Sequence, residues 1–573
     1  MRPRAQAPRR RPSAAESMSG SHSAPAERWH GWPRAAGAVV ILVAVGAVYA
    51  PAFRADYVLF DDTDYIPQNP YVVSPDGLWR IWFARHDYPP NVPYYPLTFT
   101  THWLEYRLWG SRPAGYHIVN VVLHAANTLL VWLLLRRLSV PGAFFAALWF
   151  AVHPLHVPSV AWLAERKNVL SVFFYLLALL AWLRFVRGPG WKWYAAALGC
   201  FVLGLLSKTI VCTLPAVLVL WIGWRGRATW RRTLPAVIPF AVVAMVFAYL
   251  TTLHEHGMLE GAELRFDLSL TQRLLLAGRA FWFYAQKLLW PAGLMPLYPR
   301  WNIDPSHGWQ YVFPASAVGA LALAWWLRRE SGAGLLVTLL FLGISLAPTL
   351  GLVDFGYMGH SFVADHFMYL PSIGPLAGVA ALFNVVARYA RPPVRSALFA
   401  MGILAALGLA GLARARSETY RNAITFWSAA AARNPGPTTY SALGEAYYLD
   451  RQYGRAEQLL RQALAEQDAV RTRFRLGCVL MDTERFGEAI EQFERGIARN
   501  EAHERIRGLT GWMYFNIATC WFSQGEFARA AEYFRRARER EPRLAPRCDE
   551  GLALCDAYGR ESAAPGTSPA AAP

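Results

Sequence analysis

Charge is scarce in this chain. Only 17% of its 573 residues are Asp, Glu, Lys or Arg, against 54% apolar. That balance excludes a water-soluble protein of this length and fits a polytopic membrane protein. Cysteine is scarcer still. Cys200, Cys212, Cys478, Cys520, Cys548 and Cys555 show no C-x-x-C spacing, so neither a zinc site nor a thioredoxin motif is indicated. Cys200 and Cys212 lie in apolar stretches and read as small core hydrophobes. A disulfide among the last four is not argued by the sequence. Acidic residues are outnumbered 39 to 57, for a formal net charge of +18. The excess is not a nucleic-acid signal, because arginines cluster at the ends of apolar runs: Arg136-Arg137, Arg184 and Arg187, Arg225 to Arg232, Arg328-Arg329, Arg388 to Arg395. Basic residues so placed hold loops on the cytoplasmic side. Strong charge within the apolar runs, at mid-depth, is also wanting, which argues against a lipid-linked glycan flippase or polymerase.

What is present divides into four regions. Residues 1–33, rich in Arg, Pro, Ser and Ala, are expected to form a disordered, basic cytoplasmic tail. Residues 34–414 carry eleven apolar stretches read as spans: Ala35–Phe53, Tyr116–Leu135, Pro141–His156, Val169–Val186, Trp193–Leu206, Ile210–Trp224, Leu234–Thr252, Val312–Leu327, Gly334–Leu350, Met368–Val386 and Ala397–Ala413. With the N-terminus inside, this threading keeps every Arg-rich loop cytoplasmic and puts Asp61, His153, Glu165, Lys208, Arg300 and Asp365 outside. It also puts the C-terminal region outside. Gln272 to Pro291 is read as an interfacial or re-entrant helix, since a full span there would move Arg328-Arg329 outside; a true span with another candidate lost is the competing topology. The first external loop, 54–115, is dense in Trp, Tyr and Pro and is expected to pack on the membrane surface.

After Arg414 the composition changes to paired amphipathic helices. Leu443-Gly444-x-x-Tyr447 recurs as Leu476-Gly477-x-x-Leu480 and, more loosely, as Ile517-Ala518-x-x-Trp521. Tyr453-Gly454-Arg455-Ala456 recurs as Phe486-Gly487-Glu488-Ala489 and Phe527-Ala528-Arg529-Ala530. The steps of 33 and 41 residues imply a short insertion near His503 to Gly508. A period near 34 with this pattern is the tetratricopeptide signature. The domain is set at residues 415–558, with Ile424 to Asn434 as a leading half-repeat, followed by a disordered tail, 559–573. The fold class expected is therefore all-α: a polytopic membrane bundle followed by a soluble α-solenoid, whose stacked helices make a groove suited to peptide.

Phe60-Asp61-Asp62 stands just after the first apolar stretch. An acid there reads either as a general base for an acceptor hydroxyl or amide or as a helix-capping, loop-ordering group. Glu165 reads as a second acid or as a salt-bridge partner. Arg166 and Lys167, Lys208 in a very short external turn, and Arg279 and Lys287, two turns apart on the interfacial helix, are candidate phosphate ligands or interfacial cations. His153 and His156 are spaced for one helix face, but no further metal ligand is placed by sequence, and no metal is expected.

The string Phe60-Asp61-Asp62 followed by Ile66-x-x-Asn69 resembles the first-loop motif of the transmembrane O-mannosyltransferases with tetratricopeptide repeats and of their bacterial relatives in the GT-C glycosyltransferase superfamily. Tyr95-Pro96-Leu97-Thr98, Gly115-Tyr116-His117-x-x-Asn120, Leu123-His124-Ala125, Phe150-Ala151-x-His153-Pro154-x-His156 and Glu165-Arg166-Lys167 extend the resemblance. So do Leu206-Ser207-Lys208, Leu289-Trp290-Pro291 with Tyr298-Pro299, and Ala364-Asp365 with Tyr369-Leu370-Pro371-Ser372, in that order over Ala35 to Pro375. The resemblance implies a GT-C-like bundle of about eleven spans. It implies an inverting enzyme that moves a sugar, mannose or another hexose, from a polyprenyl-phosphate donor to an extracytoplasmic acceptor, protein hydroxyls being the expected class. It makes Asp61 the catalytic acid with Asp62 its partner and Glu165 a second acid, and assigns the donor phosphate to Arg166, Lys208, Lys287, Arg279 and His366. At the last position the family commonly carries Arg, where this chain has His366. The implied partners are the lipid-linked donor, membrane lipid and an acceptor protein or peptide held by the repeats. The implied location is a bacterial inner membrane with site and repeats on the extracytoplasmic side. The alternatives are a membrane-anchored repeat scaffold without catalysis and a lipid-linked glycan polymerase or flippase.

Overall fold

A computed structural model describes residues 34–83, 92–188, 190–225, 230–261, 267–330, 332–504, 506 and 508–563. The expected N-terminal tail, most of the expected C-terminal tail and part of the first external loop lie outside them. The described residues from Ile41 onward form one compact unit. All regular structure among the described residues is helical. The membrane region runs α1 (Arg34–Tyr49), α2 (Asp62–Tyr65), α3 (Pro70–Val73), α4 (Gly77–Phe83), α5 (Pro96–Trp109), α6 (Pro113–Arg137), α7 (Ala143–Val152), α8 (Val157–Ala161) and α9 (Arg166–Arg187). It continues through α10 (Trp191–Ser207), α11 (Leu214–Arg225), α12 (Trp230–Gly261), α13 (Leu270–Leu289), α14 (Val312–Leu327), α15 (Gly334–Leu346), α16 (Ile373–Tyr389) and α17 (Pro392–Glu418).

Six described helices are long and apolar enough to cross a bilayer: Arg34–Arg54, Pro113–Arg137, Leu163–Arg187, Thr233–His254, Gly308–Leu327 and Pro392–Glu418. A seventh is the pair α7 and α8, bent by 53°. The bend follows from Pro154, which supplies no backbone N–H to continue the α7 ladder. Four more apolar helices are shorter, at 191–207, 209–224, 334–349 and 373–389. Apolar outer faces of the long and short helices alike remain open, as lipid-facing surfaces do: Val242, Met245, Trp325, Leu382 and Leu404 are all exposed. The stretch Met368–Val386 differs from the expected span. Asp365–Met368 is a single 3-10 turn and α16 begins at Ile373. Its polar members Tyr369 and Ser372 are buried, hydrogen-bonded to His124 and His156, rather than set on a lipid-facing helix.

Helix α13 opens on a capping box between Ser269 and Gln272. Its middle lies across the first turn of α14: Trp282 Nε1 donates to Phe313 O at 3.1 Å. A Cβ on Gly278 would stand 2.4 Å from Pro314 N, so only glycine permits this crossing. The middle of α13 thus sits at the level of an end of a candidate span.

Beyond α17 come α18 (Ala423–Arg433), α19 (Pro437–Leu449), α20 (Tyr453–Glu466), α21 (Val470–Asp482), α22 (Phe486–Arg499), α23 (Leu509–Ser523), α24 (Phe527–Arg540) and α25 (Ala545–Ala563). The repeated Leu-Gly pairs have a packing cause. Cβ atoms on Gly444 and Gly477 would meet Leu460 at 2.8 Å and Phe493 at 2.5 Å, each on the second helix of the same pair. The recurring alanines Ala456, Ala489 and Ala530 are fully buried. A π-helical turn, Asn500–Glu504, takes up the longer second step. Helix α25 continues five residues past the expected boundary at 558, and all six cysteines are free.

Candidate functional site

The loop after α1 delivers two adjacent carboxylates to different surroundings. Asp62 is the first residue of α2 and its side chain turns inward: Oδ1 accepts from Ala164 N at 2.7 Å and Oδ2 from Val58 N at 3.1 Å. It orders the loop, and at 1% exposure it is closed to substrate. Burial pushes its pKa up to about 7, against the pull of those two N–H groups. Asp61 makes no capping bond with its side chain, which stays 37% exposed amid a crowded surrounding. Its backbone lies at φ 65°, and Leu59 lies at φ 57°. Two non-glycine residues in the left-handed region cost about 1–3 kcal/mol each and persist where the surroundings over-determine them. The aromatic floor is the determinant here. Phe60 stacks on Trp162 at 5.3 Å, edges His360 at 5.2 Å and Trp427 at 5.5 Å, while its carbonyl accepts from Trp162 Nε1 at 2.9 Å.

Facing Asp61 is a buried charge cluster built on the start of α9. Lys167 Nζ lies 3.8 Å from Asp61, 3.0 Å from Glu165 and 3.3 Å from the Tyr65 hydroxyl. Lys208, at the break between α10 and the next helical turn, reaches Glu165 at 3.4 Å and Asn168 Oδ1 at 2.7 Å. Asn168 Nδ2 donates to Glu165 and to His366 O. His366 Nε2 is 3.9 Å from Glu165. One carboxylate, 2% exposed, therefore serves two ammonium groups. Burial lowers Lys208 to about 8 although Glu165 opposes it, and lowers His366 to about 3, so that imidazole is neutral at pH 7. Burial and the neighbouring Glu165 charge raise Asp61, with Lys167 opposing. The arrangement offers an accessible carboxylate beside two partly desolvated cations. That is what a proton abstraction coupled to departure of an anion requires.

Asp61, Glu165, Lys208 and His366 of the expected set come together here, whereas Arg166 does not. It points the other way along the helix, fully buried, with Nη1 on Glu105 at 2.6 Å, Nη2 on Tyr116 O at 2.8 Å and Nε on Asn120. Its donors are engaged by the protein, so it pins α5 and α6 to α9 and is closed to a phosphate. Lys287 donates to Ala292 O at 2.7 Å and closes the C-terminal end of α13. Arg279 lies over Trp301, 4.3 Å from the ring centre. Neither is within ion-pair or hydrogen-bond distance of the cluster, each being held by its own local partners. His153 and His156 are buried with both ring nitrogens occupied: His153 by Leu288 O and Leu155 N, His156 by Phe150 O and Ser372. Among the described residues no three His, Cys, Asp or Glu side chains group as a metal site.

The sequence offered Lys167 only as one external cation among several and left it out of the donor-phosphate set, and it gave no sign of Asn168. A signal existed: the chain has four lysines, 167, 192, 208 and 287, among 57 basic residues, and two of the four are in this cluster. The Asp365–Arg416 ion pair, with Tyr298 donating to Asp365 at 2.9 Å, also went unread.

A family model, dolichyl-phosphate-mannose-protein mannosyltransferase, matches residues 90–252, which include Glu165, Lys167 and Lys208 but not Asp61. Tetratricopeptide repeat models match residues 438–466 and 474–546. The protein O-mannosyl-transferase F38B6.6 of Caenorhabditis elegans is 34% identical over 155 residues, 25% of this chain and 22% of that protein. Protein O-mannosyl-transferase TMTC2 of Homo sapiens is 30% identical over 186 residues, 30% of this chain and 22% of that protein. Protein O-mannosyl-transferase Tmtc1 of Drosophila melanogaster is 38% identical over 125 residues, 22% of this chain and 13% of that protein. The chain spans about a fifth of the length of the first two relatives. It is thus a multi-pass helical protein, similar in sequence to the protein O-mannosyl-transferases in its membrane region and to tetratricopeptide repeats beyond it.

Proposed function

We propose that this protein is a membrane glycosyltransferase that moves a hexose, mannose in the first instance, from a polyprenyl-phosphate carrier to a hydroxyl on an acceptor protein outside the cytoplasm. Asp61 accepts the proton of the acceptor hydroxyl as its oxygen attacks the anomeric carbon. The bond from that carbon to the phosphate oxygen breaks, the configuration inverts, and polyprenyl phosphate leaves with its charge. Lys167 and Lys208 stabilise that charge, and Glu165 holds the two ammonium groups in place until the phosphate arrives. The repeats hold the acceptor. Their first helix is fastened beside the acid: Asp56 N donates to Arg421 O at 2.7 Å and Trp427 Nε1 to Val58 O at 3.1 Å. The membrane is a bacterial inner membrane, with Asp61 and the repeats on its outer side.

The observation that carries this reading is the pairing of one accessible carboxylate, Asp61, with the Lys167–Glu165–Lys208 cluster. The test is Asp61→Asn in proteoliposomes supplied with radiolabelled polyprenyl-phosphate mannose and the envelope proteins of a deletion strain. Removal of a general base is expected to lower transfer by about 10²- to 10⁴-fold, with melting behaviour unchanged because the side chain holds only one loose ion pair. Transfer within threefold of wild type would remove Asp61 from the mechanism.

A further inference from the structure

Helix α17 carries Arg416 in its last turn, and besides meeting Tyr420 just beyond the helix the guanidinium reaches back to several parts of the membrane region. Arg416, 9% exposed in its side chain, forms an ion pair with the fully buried Asp365, and its other donors reach Met295 O at 3.3 Å and Pro154 O at 3.4 Å. Asp365 spends its second oxygen on Tyr298. One guanidinium thus joins α17, the 3-10 turn at 365–368, the segment after α13 and the break between α7 and α8. The fork geometry is needed, since a lysine places one point of charge where arginine reaches three acceptors.

The two ends of this joint lead to the two working parts of the molecule. The residue after Asp365 is His366, whose ring lies 3.9 Å from Glu165 and whose carbonyl accepts from Asn168 at 3.2 Å and from Ser159 at 3.4 Å. Beyond Arg416 the chain makes one turn, Thr419 N donating to Arg416 O, and enters α18 through a capping box at Asn422. We infer that Arg416, through Asp365, is a positioning residue that sets His366 and Asn168 against Glu165 and fixes the repeat domain in register with Asp61. The inference rests on the transferase reading only for its consequence on rate. Its structural content is the placement of His366.

The experiment uses full-length protein in nanodiscs, with Arg416→Gln, Arg416→Lys and Asp365→Asn. One arm needs no transferase activity: carbethoxylation of His366 by diethyl pyrocarbonate, followed by mass spectrometry. Wild-type His366, 5% exposed, is protected, whereas Arg416→Gln and Asp365→Asn are expected to label about tenfold faster. The second arm reads transfer. Displacement of a site group by about 1 Å costs on the order of 10²-fold in rate, so kcat falls by that order in Arg416→Gln and by less in Arg416→Lys, with the donor KM changed little. Unchanged labelling together with unchanged kcat in a folded Arg416→Gln protein overturns the inference. Faster labelling in a protein whose wild type transfers no sugar refutes the transferase reading and leaves the positioning role standing.

Discussion

Replacing Glu165 by Gln isolates the charge balance of the cluster. Glu165 lies 3.0 Å from Lys167 and 3.4 Å from Lys208, which at an effective dielectric constant near 20 is about 5 kcal/mol of attraction for each pair before desolvation. Breaking a buried pair by removing one partner costs about 3–5 kcal/mol. The Lys208 share is capped, however. Lys208 titrates at about 8 with Glu165 present. Giving up its proton at pH 7 therefore costs only about 1.4 kcal/mol, and without Glu165 the neutral form is the better alternative. Lys167 keeps Asp61 at 3.8 Å and loses its nearer partner, so the total expected is about 3–4 kcal/mol at pH 7. Near pH 9 the wild-type Lys208 is itself mostly neutral, and the deficit shrinks by the capped share, about 1.4 kcal/mol. Tryptophan-monitored melting in detergent at pH 7 and pH 9 reads both numbers as shifts of the midpoint. A deficit that is absent, or that does not change between the two pH values, refutes the reading that Glu165 holds Lys208 in its charged form.

The same titration has a functional sign. Lys208 sits below its ordinary value, so it is charged below about pH 8 and neutral above it. Affinity for polyprenyl phosphate, measured by competition, is expected to decline above that pH, and Lys208→Arg is expected to flatten the decline. Folding stability attributable to Lys208 runs oppositely, rising from about pH 8 toward 10.5, because the unfolded chain holds the proton more tightly. Asp62→Asn swaps one of two N–H-accepting oxygens for an amide donor facing a buried N–H, a loss of about 1–3 kcal/mol; a lowered melting midpoint with Asp61 still reactive is the expected outcome. Gly278→Ala forces a Cβ to 2.4 Å from Pro314 N, which should destabilise by about 1–3 kcal/mol and increase protease cleavage between α13 and α14.

Composition and periodicity determined a good deal unaided. Apolar runs too long for a soluble core required membrane helices, and a 33-residue recurrence of Leu-Gly and Gly-x-Ala required stacked helical pairs, because Gly444 and Gly477 meet the second helix of their pairs and Ala456 and Ala489 are fully buried. The importance of Asp61, Glu165 and Lys208 could be suspected from their positions at the ends of apolar runs. What only the tertiary structure decided was direction. Along a helix each residue turns by about a quarter of the circle, so Arg166 and Lys167, equal candidates in the sequence, face different neighbours: Glu105 and Tyr116 for one, Asp61 and Glu165 for the other. Asp61 and Asp62 separate for the same kind of reason, a left-handed backbone turning one outward while the other meets two buried N–H groups. The Asp365–Arg416 pair bridges 51 positions of chain, and no local pattern encodes a contact that exists only once the last membrane helix has packed.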